Sequence, residues 1–116
     1  MSDKPLIDRL QVKKDRRLAV ADAPFVIEAP AAPLEGAEVV VQFIRNRAEF
    51  DAKLPALLKT IRADAILWVA YPKLTSALAG DINRDIIHGA APAFGIDCVS
   101  QIAIDGDWSA MRMKRL

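Results

Sequence analysis

Cysteine and histidine each occur once, as Cys98 and His88. A lone thiol excludes an internal disulfide and an all-cysteine metal centre. One imidazole with no carboxylate-rich motif beside it leaves zinc without its usual ligands, so no metal site is expected. The longest apolar run, Ala65 to Tyr71, is too short to cross a bilayer. The opening Met-Ser-Asp-Lys-Pro lacks the hydrophobic stretch of a signal peptide. These absences lead to the expectation of a soluble, cytoplasmic chain with no membrane partner. Glycine is sparse as well, with five residues and none before Gly36.

What is present suffices for a folded core. Of 116 residues, 53% are hydrophobic and 27% charged, a balance that predicts one globular domain over 1–116. Sixteen basic and fifteen acidic side chains nearly cancel, but unevenly. Residues 1–17 carry six basic against three acidic side chains, and the last six residues add Arg112, Lys114 and Arg115. The segment between holds seven basic against twelve acidic ones. Basic ends can face an anionic partner. No aromatic is interleaved with either cluster, so a solvated surface is the simpler reading and nucleic acid is not an expected partner.

Hydrophobic spacing then orders the chain. Residues 4–11 set Leu6, Ile7 and Leu10 on one side of one or two helical turns. Residues 17–21 read as a short strand, closed by Asp22-Ala23-Pro24. Residues 24–36 contain Pro24, Pro30 and Pro33 and no stable period, which predicts either a packed loop or the place of a lost element. Residues 37–44, with three consecutive valines, predict a central parallel strand buried on both faces. Asn46 is positioned to cap the next helix, and Glu49 completes a capping box. Phe50, Leu54, Leu57, Leu58 and Ile61 form the inward stripe of that helix, and Pro55 is expected to kink or divide it.

Residues 65–71 predict a second dry strand with helices over both faces, after which Pro72 and Lys73 turn the chain out of the sheet. Residues 81–94 predict a helix with Ile82, Ile86, Ile87, Ala90 and Phe94 inward, Pro92 tightening its last turn and Gly95 as its stop. The period then becomes two, which sets Ile96, Cys98, Ser100, Ile102 and Ile104 on one face. Asp105-Gly106 predicts a hairpin turn, and residues 108–114 the returning strand, with Met111 and Met113 on one face and Trp108, Ala110 and Arg112 on the other. The whole is α/β: a reduced Rossmann-like three-layer domain, with a mostly parallel five-stranded sheet and a C-terminal antiparallel hairpin.

This order of elements resembles the carboxyl-terminal half of class I methyltransferases. The resemblance implies a sheet that sets strand 17–21 beside 37–44, then 65–71, then the last strand, with 96–104 at the edge. More narrowly, the chain is similar to a small bacterial family of uncharacterised proteins, a domain of unknown function. That likeness is carried by Val41-Gln-Phe-Ile-Arg-Asn-Arg-Ala-Glu49, Leu54-Pro-Ala-Leu57, Leu67-Trp-Val-Ala-Tyr-Pro-Lys73, Asp81-Ile-Asn-Arg-Asp85 and Asp107-Trp-Ser-Ala110, and it implies no activity. The methyltransferase class needs a glycine-rich turn after its first strand, whereas this chain has Asp22-Ala-Pro-Phe-Val-Ile-Glu28. Proline there also removes a backbone donor that an anion site uses. The same absence argues against a nicotinamide dinucleotide. Ser76-Ala77 stands where relatives often have Ser-Gly, so close backbone approach is not expected at that loop. No cofactor is therefore expected.

Ligands of parallel sheets bind outside the carboxyl ends of the strands. The pattern brings Asp22, Arg45, Asn46, Tyr71 and Lys73 to that edge, the returning strand adds Asp107 and Trp108, and Arg84 lies on a helix beginning on the same side. In a ligand site, Lys73 and Arg45 bind an anion, Asp22 orients a polar group, and Tyr71 or Trp108 stacks on a ring. In a purely structural role, Asn46 caps a helix, the aromatics edge the core and Lys73 pairs with Asp81. Cys98 reads as a small buried hydrophobe and His88 as a helix-surface residue, while Ser76 and Ser109 lack a nucleophile elbow, so no catalytic residue is assigned. The leading reading is a non-catalytic binding or assembly protein, with homodimerisation through open sheet edges and the apolar hairpin. The alternative is a small-molecule enzyme or sensor that recognises an anionic or nucleotide-like ligand at this edge.

Overall fold

Val39, Val40 and Val41 are wholly shielded from solvent in the interior of a five-stranded sheet. The computed structural model describes residues 4–13 and 15–116. Lys14 of the basic amino-terminal run and the first three residues lie outside them. The elements are α1 (Leu6–Arg9), β1 (Leu18–Ala21), β2 (Val39–Phe43), α2 (Arg47–Thr60), β3 (Ile66–Pro72), α3 (Arg84–Ala90), β4 (Ile96–Ala103) and β5 (Trp108–Arg115). The strand order is β1-β2-β3-β5-β4. The first two pairings are parallel, and β5 runs antiparallel to both β3 and β4. This is the expected three-layer α/β architecture with its terminal hairpin.

Local chemistry explains the helices. The Asn46 side chain accepts from the Glu49 amide at 2.8 Å, and the Glu49 carboxylate accepts from the Arg45 amide at 2.8 Å, one residue upstream of the usual capping-box donor. α2 runs unbroken through Pro55. Pro55 and Asp51, whose carbonyl the proline leaves without an amide, are both exposed, so water satisfies that carbonyl and the helix need not divide. α3 starts at Arg84 rather than near Asp81, because Asn83 caps it by accepting from the Ile86 amide at 3.1 Å. Pro92 then converts the chain to a 3-10 turn over Ala91–Phe94, and Gly95 ends it with φ 78°.

The sheet departs from expectation in three places. Pro72 stays in β3 opposite Trp108, and the Lys73 amide donates to the Asp107 carbonyl at 2.8 Å. Alternate residues of an antiparallel ladder point away from the partner, so the donor that Pro72 lacks faces the side on which β2 has already ended. A second departure lies in β4, where register shifts between Cys98 and Ser100. The extra residue, Val99, reverses the alternation. Ile96 and Cys98 therefore pack with α2 and α3, whereas Ile102 and Ile104 pack on the opposite face, not beside Cys98 as the period of two predicts.

The third departure concerns the layers. α2 and α3 cover one face through Phe50, Leu54, Leu57 and Ile87, which meet Val40, Val69, Tyr71, Met111 and Met113. The other face carries the four-residue α1 and irregular chain instead of long helices. Leu10 and Val12 pack there on Val41, Phe43, Trp68 and Trp108, and the Trp68 indole donates to the Leu10 carbonyl at 2.9 Å. Burial needs apolar cover rather than a helix, and a few anchored residues provide it. Residues 24–36 form a packed loop that wraps the outer edge of β1. Ile27 and Ala29 lie on one face and Ala32 and Leu34 on the other, with a single parallel bridge from Leu18 to Ala31.

Candidate functional site

The residues brought to the carboxyl edge by sequence pattern separate into two groups. Asp22 ends β1 with φ 61°, a left-handed conformation that asparagine and aspartate tolerate better than most residues. Its carboxylate accepts from the Gln42 side chain at 2.8 Å and pairs with Lys53 at 2.9 Å. Lys53 first, and Gln42 second, hold this carboxyl below its ordinary range. Gln42 is only 3% exposed, and its amide also donates to the Phe43 carbonyl at 2.9 Å. Glu49 links the set to Arg45 at 3.6 Å and to Lys53 at 3.7 Å. The first group is thus a closed network whose members satisfy one another. Asn46 is committed to its cap.

Trp108 belongs to neither group. It is 4% exposed and meets Phe43 edge-to-face at 5.1 Å, so its ring is core and offers no face to a ligand. The burial arises because β5 is an interior strand between β3 and β4, the place that the resemblance implied for the last strand. The pairing of Lys73 with Asp81 is also absent among the described residues; Asp81 instead accepts from the Arg47 amide at 2.9 Å.

The second group is Tyr71, Lys73 and Arg84. They line an open groove of about 560 Å³ together with Leu74, Thr75, Asn83, Gln101, Ile102, Ala103 and Ser109. β3 supplies Tyr71, the loop after it Lys73 to Thr75, the start of α3 Asn83 and Arg84, and the hairpin the remainder. Hydrogen bonds hold that loop. Besides the Lys73 amide bond, Ser76 donates its hydroxyl to Asp107 at 2.8 Å and its amide to the Lys73 carbonyl at 3.0 Å. Ser76 is therefore a loop clasp rather than a nucleophile.

Tyr71 is 3% exposed, and its hydroxyl is buried without a hydrogen-bond partner among the described residues. Burial pushes its pKa above the ordinary phenol value, so the hydroxyl keeps its proton at neutral pH. Ser109, its register partner, lies near enough to offset part of that effect but not in hydrogen-bonding geometry. An orphaned donor of this kind is uncommon in a folded interior. The cations beside it are weakly engaged. Arg84 meets only the adjacent Asp85, at 3.5 Å with both side chains mostly exposed, and Lys73 forms no ion pair among the described residues. No aspartate or glutamate lines the groove.

Several of these residues carried little sequence signal. Ser109, Gln101 and Ala103 reach the groove because the hairpin folds back, and the Val99 bulge sets Gln101 and Ala103 on the face of Tyr71 while Ile102 packs on the other. Asn83 is legible in hindsight as a cap three residues before Ile86. Cys98, packed against the first face, has its thiol pushed up to about 11 by burial, and His88 is exposed. Among the described residues there is no group of metal-ligating side chains, and no helix is long and apolar enough to cross a membrane.

No family model and no curated protein matches the chain. Among solved structures, its fold resembles class I, SAM-dependent methyltransferases. The mitomycin 7-O-methyltransferase MmcR aligns with TM-score 0.55 and 11% identity over 77% of this chain and 34% of that one. LepI in complex with SAM aligns with TM-score 0.58 and 11% identity over 96% of this chain and 39% of that one. A structure of the LepI C52A variant with SAH and a substrate analogue gives TM-score 0.56 and 12% identity over the same shares, 96% and 39%. The chain thus spans well under half the length of these structures, and the likeness is one of fold.

That fold implies an adenosyl methyl donor, for which the turn after β1 is poorly suited. Phe25 stands edge-to-face on Phe43 at 5.5 Å, Ala23 and Ile27 pack on the same face, and Asp22 is engaged by Lys53 and Gln42. The turn presents apolar side chains rather than a glycine backbone, Pro24 lacks a donor, and no backbone cradle is offered. The residues present do not fit that group.

Proposed function

We propose that the chain binds a small ligand bearing an oxyanion, held in the groove between the carboxyl end of β3, the start of α3 and the β4–β5 hairpin. The observation that carries this reading is the Tyr71 hydroxyl, buried and unpartnered at the groove lining. A protonated phenol is a donor, and so are the Lys73 ammonium and the Arg84 guanidinium beside it. Three donors with no lining carboxylate favour a carboxylate or phosphate acceptor. The groove has the size usual for small-molecule sites. Of the hairpin's apolar residues, Trp108, Ala110, Met111 and Met113 are buried within the chain, whereas Val99 on the edge strand β4 is 46% exposed.

Titration of the labelled protein with butyl phosphate, followed by amide chemical shifts, tests the proposal. Shifts are expected at residues 73–75 and 83–84, weakening about fivefold in Tyr71→Phe, the equivalent of one hydrogen bond of about 1 kcal/mol. Lys73→Ala should weaken them further and reduce their salt sensitivity. Butyltrimethylammonium, with the same chain and opposite charge, should leave these amides unmoved. Equal responses to both compounds, or none to the phosphate, would refute it.

A further inference from the structure

We infer that the ligand is a polyhydroxylated phosphomonoester: its phosphate lies at Tyr71, Lys73 and Arg84, and its hydroxyl groups lie over Ser109 and Gln101. This rests on the oxyanion-binding reading and adds the chemistry of the rest of the molecule. Register places Tyr71, Ser109 and Ala103 in one row across β3, β5 and β4. Directly opposed residues of antiparallel strands share a face, and Tyr71 sets that face as the one that α3 covers. The row is the floor of the groove. Beside the Tyr71 ring it steps down to the short side chains of Ser109 and Ala103, so space opens above them. Ser109 is 4% exposed, next to Tyr71 at 3%, and neither hydroxyl has a hydrogen-bond partner among the described residues. Most buried polar side chains find partners within the chain; these line the groove instead.

The lining divides by hydrogen-bonding capacity. Lys73 and Arg84 only donate, which suits the acceptor oxygens of a phosphate, and with the Tyr71 phenol they match its three terminal oxygens in number. Ser109, Thr75 and Gln101 both donate and accept. The carboxamide nitrogen of Asn83 remains a donor, because its oxygen is committed to the Ile86 amide. Hydroxyl groups on a ligand answer this second set in both directions. Inorganic phosphate would leave the neutral half of the groove unused. A plain alkyl ester would set hydrocarbon against Ser109 and Gln101, which costs those groups their water without replacing it. A phosphate carried on a hydroxylated chain or ring satisfies both halves.

Glycerol 3-phosphate and propyl phosphate share a head group and a carbon count and differ in their hydroxyls, so calorimetric titration of the unmodified chain with each is the experiment. Glycerol 3-phosphate is expected to bind about 25-fold more tightly, or about fivefold for each hydroxyl that gains one net hydrogen bond. Ser109→Ala should cut the ratio of the two affinities about fivefold, and Gln101→Met should lower it as well. Ser100→Ala, on β4 but outside the groove, should leave the ratio unchanged. Affinities within about twofold of each other, or a preference that survives both Ser109→Ala and Gln101→Met, overturn the polyhydroxylated assignment alone. Failure of both esters to bind overturns the oxyanion site with it.

Discussion

Replacing Trp68 by phenylalanine removes a hydrogen bond and part of a buried ring at the point where the second face of the sheet is closed. Trp68 is 2% exposed, and its indole donates to the carbonyl of Leu10, which is itself fully buried. The lost bond is worth about 1 kcal/mol, somewhat more because the Leu10 carbonyl then lacks its partner. Trimming indole to phenyl removes apolar contact and leaves a small void, worth about 1–2 kcal/mol more. A total of about 2–3 kcal/mol corresponds to a fall in Tm of roughly 10 °C for a domain of this size. Urea unfolding gives the stability, with Trp108, 4% exposed, as the remaining fluorescent reporter. Limited trypsin digestion gives the location, because Arg9, Lys13 and Arg16 flank the anchored segment. Cleavage there should accelerate at denaturant-free, native conditions, ahead of cleavage at Lys53 or Lys59 in α2. A stability change below about 0.5 kcal/mol, or an unchanged cleavage rate at these sites, would refute the view that this anchor closes the face.

Glu38 offers a pH test. Hydrogen bonding from the Arg17 guanidinium, then from the Arg17 amide, holds its carboxyl at about 2 against an ordinary 4.5. The unfolded chain takes up this proton first, so the contribution is complete above about 4.5 and is lost as pH falls from there toward 2. Glu38→Gln should give a shallower decline of urea midpoint across that window and a matching slope above pH 6; equal declines in both proteins would refute the assignment. Val99 supplies the third test. Deleting it restores uninterrupted alternation and forces either Ile96 and Cys98 or Ile102 and Ile104 off their present faces, costing about 3 kcal/mol or more, whereas Val99→Ser at this exposed position should change stability by about 0.5 kcal/mol or less. Urea unfolding of the two variants compares them, and a stable deletion variant would mean that the bulge is dispensable.

The legible parts of the fold were those whose cause is local. Three consecutive valines specify a strand wet on neither face, and 39–43 is such a strand. Asn46 and Glu49 specify a helix start through side-chain geometry within four residues; the Asn46 cap bond is present, and Glu49 reaches the Arg45 amide in place of the Asn46 amide. Asp105-Gly106 specifies a reversal, and β4 and β5 meet there. The candidate site was legible only as an edge. Tyr71, Lys73 and Arg84 do meet, but Asp22, Arg45 and Asn46 are committed to one another or to a cap, and Trp108 is core. Composition and spacing report which residues approach a sheet end, not which of them already have partners.

Taken alone, the amino-acid order determined the dry central strands, the capped helix after Asn46 and the closing hairpin, because each follows from hydrogen-bonding and burial patterns within a single segment. Tertiary packing alone decided that Trp68 reaches back to Leu10, that an unpaired Val99 turns Ile102 to the other face, and that the Tyr71 hydroxyl is left unpartnered near Lys73 and Arg84. Those outcomes depend on residues far apart in the chain competing for the same space and the same hydrogen bonds, and no short stretch of sequence carries both sides of such a competition.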